Sequence, residues 1–86
     1  AMSANQIMVR GKWRPANYLD PVKTALLEEV RQGPPEVDTR IIDRVVARGF
    51  DRWEAVDAFW ELYYAKALAY DRDCVPYIPD PEQGKR

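Results

Sequence analysis

The sequence predicts an all-α fold: a small three-helix bundle with an extended N-terminal arm and a Pro-rich C-terminal tail. Two observations carry that prediction. Apolar residues recur at helical spacing in three segments, 20–32, 37–48 and about 51–71. Strong punctuation separates them, at Asp20-Pro21, Gly33-Pro34-Pro35 and Gly49. A chain of 86 residues makes one domain at most. The arm (1–17), the helical unit (18–73) and the tail (74–86) should therefore share a single modest core.

Taken in order, the arm holds the apolar run Ile7-Met8-Val9 and then Arg10-Gly11-Lys12-Trp13-Arg14-Pro15. Gly11 and Pro15 oppose a helix, so the arm is expected to be extended and to lie on the core like a strand. The opening Ala1-Met2-Ser3 reads as a cloning remnant ahead of a native start. The first helix should begin with Asp20 as N-cap and Pro21 in the first turn, where its missing N–H costs nothing. Val22, Leu26 and Val30 mark its buried stripe, and Gly33 is expected as a left-handed stop.

In the second helix Ile41, Ile42, Val45 and Val46 share a face while Arg40, Asp43 and Arg44 point away. Its β-branched residues are mediocre helix formers, so burial has to hold it helical. Gly49 should turn the chain in the left-handed region, with Phe50 packing back on Val45. Asp51 then caps the third helix, and Glu54 stands where a capping box needs it. Beyond Glu54 neither glycine nor proline interrupts the sequence before the tail, which predicts a helix continuing to about Asp71. Its polar arc holds Glu54, Asp57 and Glu61, whereas Trp53, Trp60, Tyr63, Tyr64 and Tyr70 spread around the rest. Val56, Phe59 and Tyr63 are expected to pack inward. Pro76, Pro79 and Pro81 predict polyproline-like tail structure, with Tyr77 and Ile78 free to fold back.

The stretch from Ile42 to Phe59 places Gly49-Phe50, Ala55-Val56 and Ala58-Phe59 in a pattern that resembles the first two helices of ubiquitin-associated (UBA) domains. The resemblance covers about eighteen residues, roughly a fifth of the chain. It implies a helix pair closed at a Gly-Phe corner, and in that family the corner docks a protein partner, ubiquitin. Two departures are plain. The family's methionine before the glycine, which helps contact ubiquitin, is Arg48 here. The family also breaks before a short third helix, and Trp60 to Tyr70 contains no such break.

Composition narrows the function classes. Thirteen basic and fourteen acidic residues give a net charge of −1, which opposes a dedicated nucleic-acid binder. There is no histidine, hence neither the usual general base nor the commonest zinc ligand. Cys74 is the only cysteine, which excludes an internal disulfide and fits a reducing, cytoplasmic setting. No apolar run approaches a membrane span, and the N-terminus lacks the pattern of a signal peptide. Asp71-Arg72-Asp73-Cys74 has too few oxygen ligands and no turn glycine for a calcium loop. Glu54, Asp57 and Glu61 lie on one helix face rather than opposed across a cleft, so they do not suggest general acid–base chemistry. No enzyme activity, cofactor or metal is expected.

What stands out is ring-bearing surface in excess of what so short a chain can shelter. Trp, Tyr and Arg are the residues that anchor docking surfaces. The expected function is a non-catalytic protein–protein interaction module, an adaptor or regulatory domain. Its expected contact residues are Arg48, Gly49, Phe50, Arg52, Trp53, Trp60 and Tyr64. The partner could equally be a second copy of the chain, in a homo-oligomer or a subunit that folds on assembly. A different class, a small nucleic-acid-associated regulator, would use Arg10, Lys12, Trp13 and Arg14, because cations interleaved with an aromatic can stack on bases and meet phosphates.

Overall fold

The structure, a computed structural model, describes residues 5–79. Its elements run β1 (Gln6–Val9), β2 (Lys12–Pro15), α1 (Asp20–Gln32), α2 (Asp38–Ala47), α3 (Arg52–Tyr64), β3 (Ala69–Tyr70) and β4 (Pro76–Tyr77). The three predicted helices are present. The all-α class is not: two small antiparallel hairpins, β1–β2 and β3–β4, make the fold mixed.

The arm is extended, as its glycine and proline require, but it doubles back on itself. Val9 pairs with Lys12 and Met8 with Trp13, so the loop between strands is Arg10-Gly11 alone. Both loop residues have positive φ, +49° at Arg10 and +81° at Gly11. Two such residues form the mirror-image turn whose twist matches paired strands. Arginine is not a residue that advertises this turn, so the hairpin has no clear signature in the sequence. It contributes nothing to the core, whose first member is Leu19.

That core gathers Val22, Ala25 and Leu26 of α1, Ile41, Ile42 and Val45 of α2, Ala55, Ala58, Phe59 and Leu62 of α3, and Leu68. The small residues Ala25, Ala55 and Ala58 let the helices approach, while Phe59 and Leu26 fill the centre. Where α1 ends, the expectation of a left-handed glycine fails. Gly33 is extended, with φ −84°, and its N–H donates to the Glu29 carbonyl. Glycine is needed there for room, since a Cβ would stand 2.7 Å from Arg44 Nη1 and 2.8 Å from the Glu29 oxygen. Arg44 does not point away. It crosses the α1–α2 connection and donates to the Pro34 carbonyl at 2.8 Å.

The Gly49 corner forms as expected. Gly49 has φ +105° and donates to the Val46 carbonyl, and Phe50 packs half-buried against the core. Asp51 caps α3 by accepting from the Glu54 N–H at 3.0 Å. The third helix is shorter than predicted, stopping at Tyr64 rather than near Asp71. Lys66 takes the left-handed conformation (φ +66°) and donates to the Tyr63 carbonyl, while Ala67 donates to that of Leu62. This is the complete Schellman pattern, made without glycine. By stopping there the chain can bury Leu68 and lay Tyr70 against Phe59, with ring centroids 5.9 Å apart. A helix continuing straight on would carry both away from the core.

β3 then pairs with β4, Ala69 with Tyr77 and Tyr70 with Pro76. The Asp71 carboxylate organises the loop between them, accepting from the N–H groups of Asp73 and Val75. The tail is therefore partly a strand, with Pro76 buried and Ile78 packed on the core; Tyr77, expected to fold back with Ile78, is exposed instead, and β4 lies against α1. Pro81 and the residues after it lie outside those described, as do Ala1-Met2-Ser3.

Candidate functional site

The solvent face of α3 is the most distinctive surface of the molecule. At about 100° per residue, Trp53, Trp60 and Tyr64 fall within roughly 40° of one another around the helix axis. Ala55, Ala58, Phe59 and Leu62 lie on the opposite side and are buried. The three rings thus face directly away from the core. They are 63%, 45% and 75% exposed, respectively.

Beyond Trp53 the rings pack on one another, and Trp60 also meets the core residue Phe59 edge-on, with centroids 6.5 Å apart. Trp60 stacks on Tyr64 one turn later, with centroids 5.9 Å apart and planes inclined by 29°. Tyr63 meets both edge-on, at 5.8 Å from Trp60 and 5.6 Å from Tyr64. Such pairs add a little beyond the area they bury, but they leave a broad ring surface open to water. The sequence places Tyr63 in the core; at 37% exposed it belongs to this surface as well. Its departure comes from the early end of α3, because Tyr70 returns beside Tyr63 (5.4 Å) and takes the inward place against Phe59.

The other end of the face is framed by charge. Arg10 of the β1–β2 turn reaches Asp57 at 2.7 Å and lies over the Trp53 ring at 5.8 Å. Arg14 of β2 is paired with Glu54 and lies 4.9 Å over the Tyr18 ring. The bond to Asp57 raises the Arg10 pKa further, keeping that guanidinium charged. The Glu54 side chain therefore turns to Arg14, and only the Asp51 half of the expected capping box is a hydrogen bond here. Glu61 is paired with Lys23 of α1 at 2.7 Å. All three carboxylates of the polar arc are thus neutralised from within the chain. Between hairpin and helix lies an open cleft of about 350 Å³ lined by Val9, Arg10, Lys12, Arg14, Trp53 and Glu54.

The other predicted contact residues are placed differently. Arg48 reaches back to α1, bonding Glu28 at 2.9 Å and Glu29 at 3.3 Å, and Glu28 raises its pKa. Arg52 pairs with Asp43 at 2.8 Å. Phe50 is half-buried and Gly49 exposed at the corner. The corner is thus tied together by its own arginines, while Trp53, Trp60 and Tyr64 share one side of α3, Trp53 two turns before the stacked Trp60–Tyr64 pair. Of the four arm residues considered for nucleic acid, Arg10 and Arg14 are occupied by α3. Lys12 and Trp13 are exposed, Trp13 beside Met8 on the outer face of the hairpin.

Among the described residues no group of three or more His, Cys, Asp or Glu side chains is placed to hold a metal ion. Cys74 is free and exposed in the β3–β4 loop, in the left-handed region with φ +64°. No helix among the described residues is long and apolar enough to cross a membrane. The chain matches no protein-family model, no curated protein and no solved structure.

Proposed function

We propose that this chain is a non-catalytic protein–protein interaction module whose docking face is the solvent side of α3. One observation carries the reading: Trp53, Trp60 and Tyr64 stand opposite the core, exposed, on one side of the helix. Burying a large aromatic ring against a partner recovers apolar area that the monomer leaves in water. Rings already braced against one another lose little rotamer freedom when they dock. The neutralised carboxylates beside them support a partner recognised by apolar contact at the centre, with the polar groups serving as rim.

The UBA-like reading enters on the same footing. α2 and α3 meet at the Gly49-Phe50 corner, as that resemblance implies. Arg48 and Arg52, however, are drawn into pairs with α1 and α2, so the docking surface proposed here lies along α3 rather than at the corner.

The test compares the wild-type chain with a Trp60→Ala/Tyr64→Ala double variant. Capture of a partner from source lysate should be lost in the variant while its urea midpoint stays near that of the wild type. Sedimentation over a range of concentrations distinguishes a second copy from a foreign partner. Equal capture combined with a large loss of stability would make the rings structural and end the proposal.

A further inference from the structure

The β1–β2 hairpin is attached to the rest of the molecule in an unusual way. None of its residues joins the core, and only Val9 and Arg14 are even half-buried. Ile7, Met8 and Trp13 are exposed, with Met8 and Trp13 cross-strand partners on the face turned from α3. Its links to α3 are ionic and cation–π, Arg10 to Asp57 and Trp53 and Arg14 to Glu54, and Arg14 also lies over the Tyr18 ring of the connection to α1. Its backbone joins the core through Ala16-Asn17-Tyr18, where the Tyr18 N–H donates to the Pro15 carbonyl.

We propose that this hairpin is an electrostatically latched strap, which opens as a unit about residues 16–18 while the helical core stays folded. An isolated two-stranded hairpin is marginal in water, so its order depends on the latch. Exposed and half-exposed ion pairs are weak individually and are screened by salt. The core, by contrast, is held by apolar contacts that salt does not screen. The two parts therefore have different opening equilibria, and the hairpin sits at the low end. Opening frees Glu54 and Asp57 and uncovers the hairpin side of Trp53. The docking stripe then extends toward the helix N-terminus and gains two carboxylates. That consequence rests on the docking reading above; the opening itself does not.

Native-state hydrogen exchange of the full chain, followed residue by residue, tests the strap with no partner present. Raising sodium chloride from about 0.02 M to about 0.5 M, where the screening length falls severalfold, should speed exchange at the β1–β2 amides. An Arg10→Gln/Arg14→Gln variant should do the same at low salt, by about tenfold. Amides of Leu26, Val45 and Phe59 should be unchanged in both experiments. A Lys23→Gln control breaks an ion pair on the same helix without touching the hairpin, and should leave β1–β2 exchange as it was. Hairpin amides that exchange at the core's rate, or that ignore both salt and the double substitution, would overturn the proposal. Because no docking enters this measurement, its failure would leave the Trp60/Tyr64 surface untouched, and failure of that surface would leave the strap.

Discussion

α2 and α3 both end at a left-handed residue that closes the last turn, but for different reasons. At the end of α2, Gly49 adopts φ +105° and its N–H closes on the carbonyl of Val46 at 2.9 Å. At the end of α3, Lys66 adopts φ +66° and its N–H closes on Tyr63 at 3.0 Å. These two hydrogen bonds are equivalent, and α3 adds the bond from Ala67 to Leu62; the residues are not equivalent. Glycine enters the left-handed region without steric penalty, whereas a residue with a side chain gives up about 1–2 kcal/mol. The Gly49 stop is therefore self-sufficient. The Lys66 stop has to be held by residues further along the chain. These are Leu68, 2% exposed, and Tyr70, whose hydroxyl donates to Asp38 at 2.7 Å.

The contrast breaks most readily at Leu68. Leu68→Ala should lower stability by about 2–5 kcal/mol, the range for truncating a buried leucine, and the α3 stop should loosen with it. A urea midpoint close to wild type would show that the stop holds itself. Gly49→Ala should cost less, about 1–2 kcal/mol. An added Cβ there meets nothing within 4 Å, so the loss would be backbone strain alone. A neutral effect in the same denaturation would show that the corner tolerates another conformation.

Tyr70→Phe removes the hydroxyl's bond to Asp38 and should lower stability by about 1 kcal/mol. Burial first, and then that bond, raise the Tyr70 pKa above its ordinary value. Because the raised value favours the protonated phenol in the folded state, its contribution is complete below the ordinary tyrosine pKa and declines as pH rises above it. Wild type should therefore lose stability toward alkaline pH more steeply than Tyr70→Phe; parallel profiles would remove Tyr70 as the cause. The smallest expected effect is a gain. Lys66→Gly relieves about 1–2 kcal/mol of strain but adds roughly 0.5–1 kcal/mol of chain entropy cost, leaving about 0.5 kcal/mol of stabilisation. Thermal denaturation resolves it, and a loss there would mean that the Lys66 side chain contributes an interaction of its own.

The candidate site divides along the same line. That α3 carries more rings than one packing face can use is a matter of periodicity, and Trp53, Trp60 and Tyr64 were legible on that basis. Their expected exposure is observed; which further ring takes the inward place depends on how the chain returns after α3. Tyr63 escaped prediction because its place inside is taken by Tyr70, seven residues on, after a stop that no glycine marks. Arg10 and Arg14 suggested an arm reaching outward. Their partners Asp57 and Glu54 are more than thirty-five positions away in sequence, and pairing at that range leaves no local signature.

What the residues determined unaided were the features set within one or two helical turns. These include the three helices, the Asp51 cap, the Gly49 corner and the pattern of apolar stripes. Capping, glycine's freedom and helical spacing are short-range forces, and each is written in neighbouring side chains. The two hairpins, the early end of α3 and the folding of the arm onto Glu54 and Asp57 were decided by tertiary structure. At Arg10 and Lys66 a locally unfavourable choice, positive φ, is held by contacts that exist only once distant segments have met; at Cys74 the same choice is held locally by Asp71.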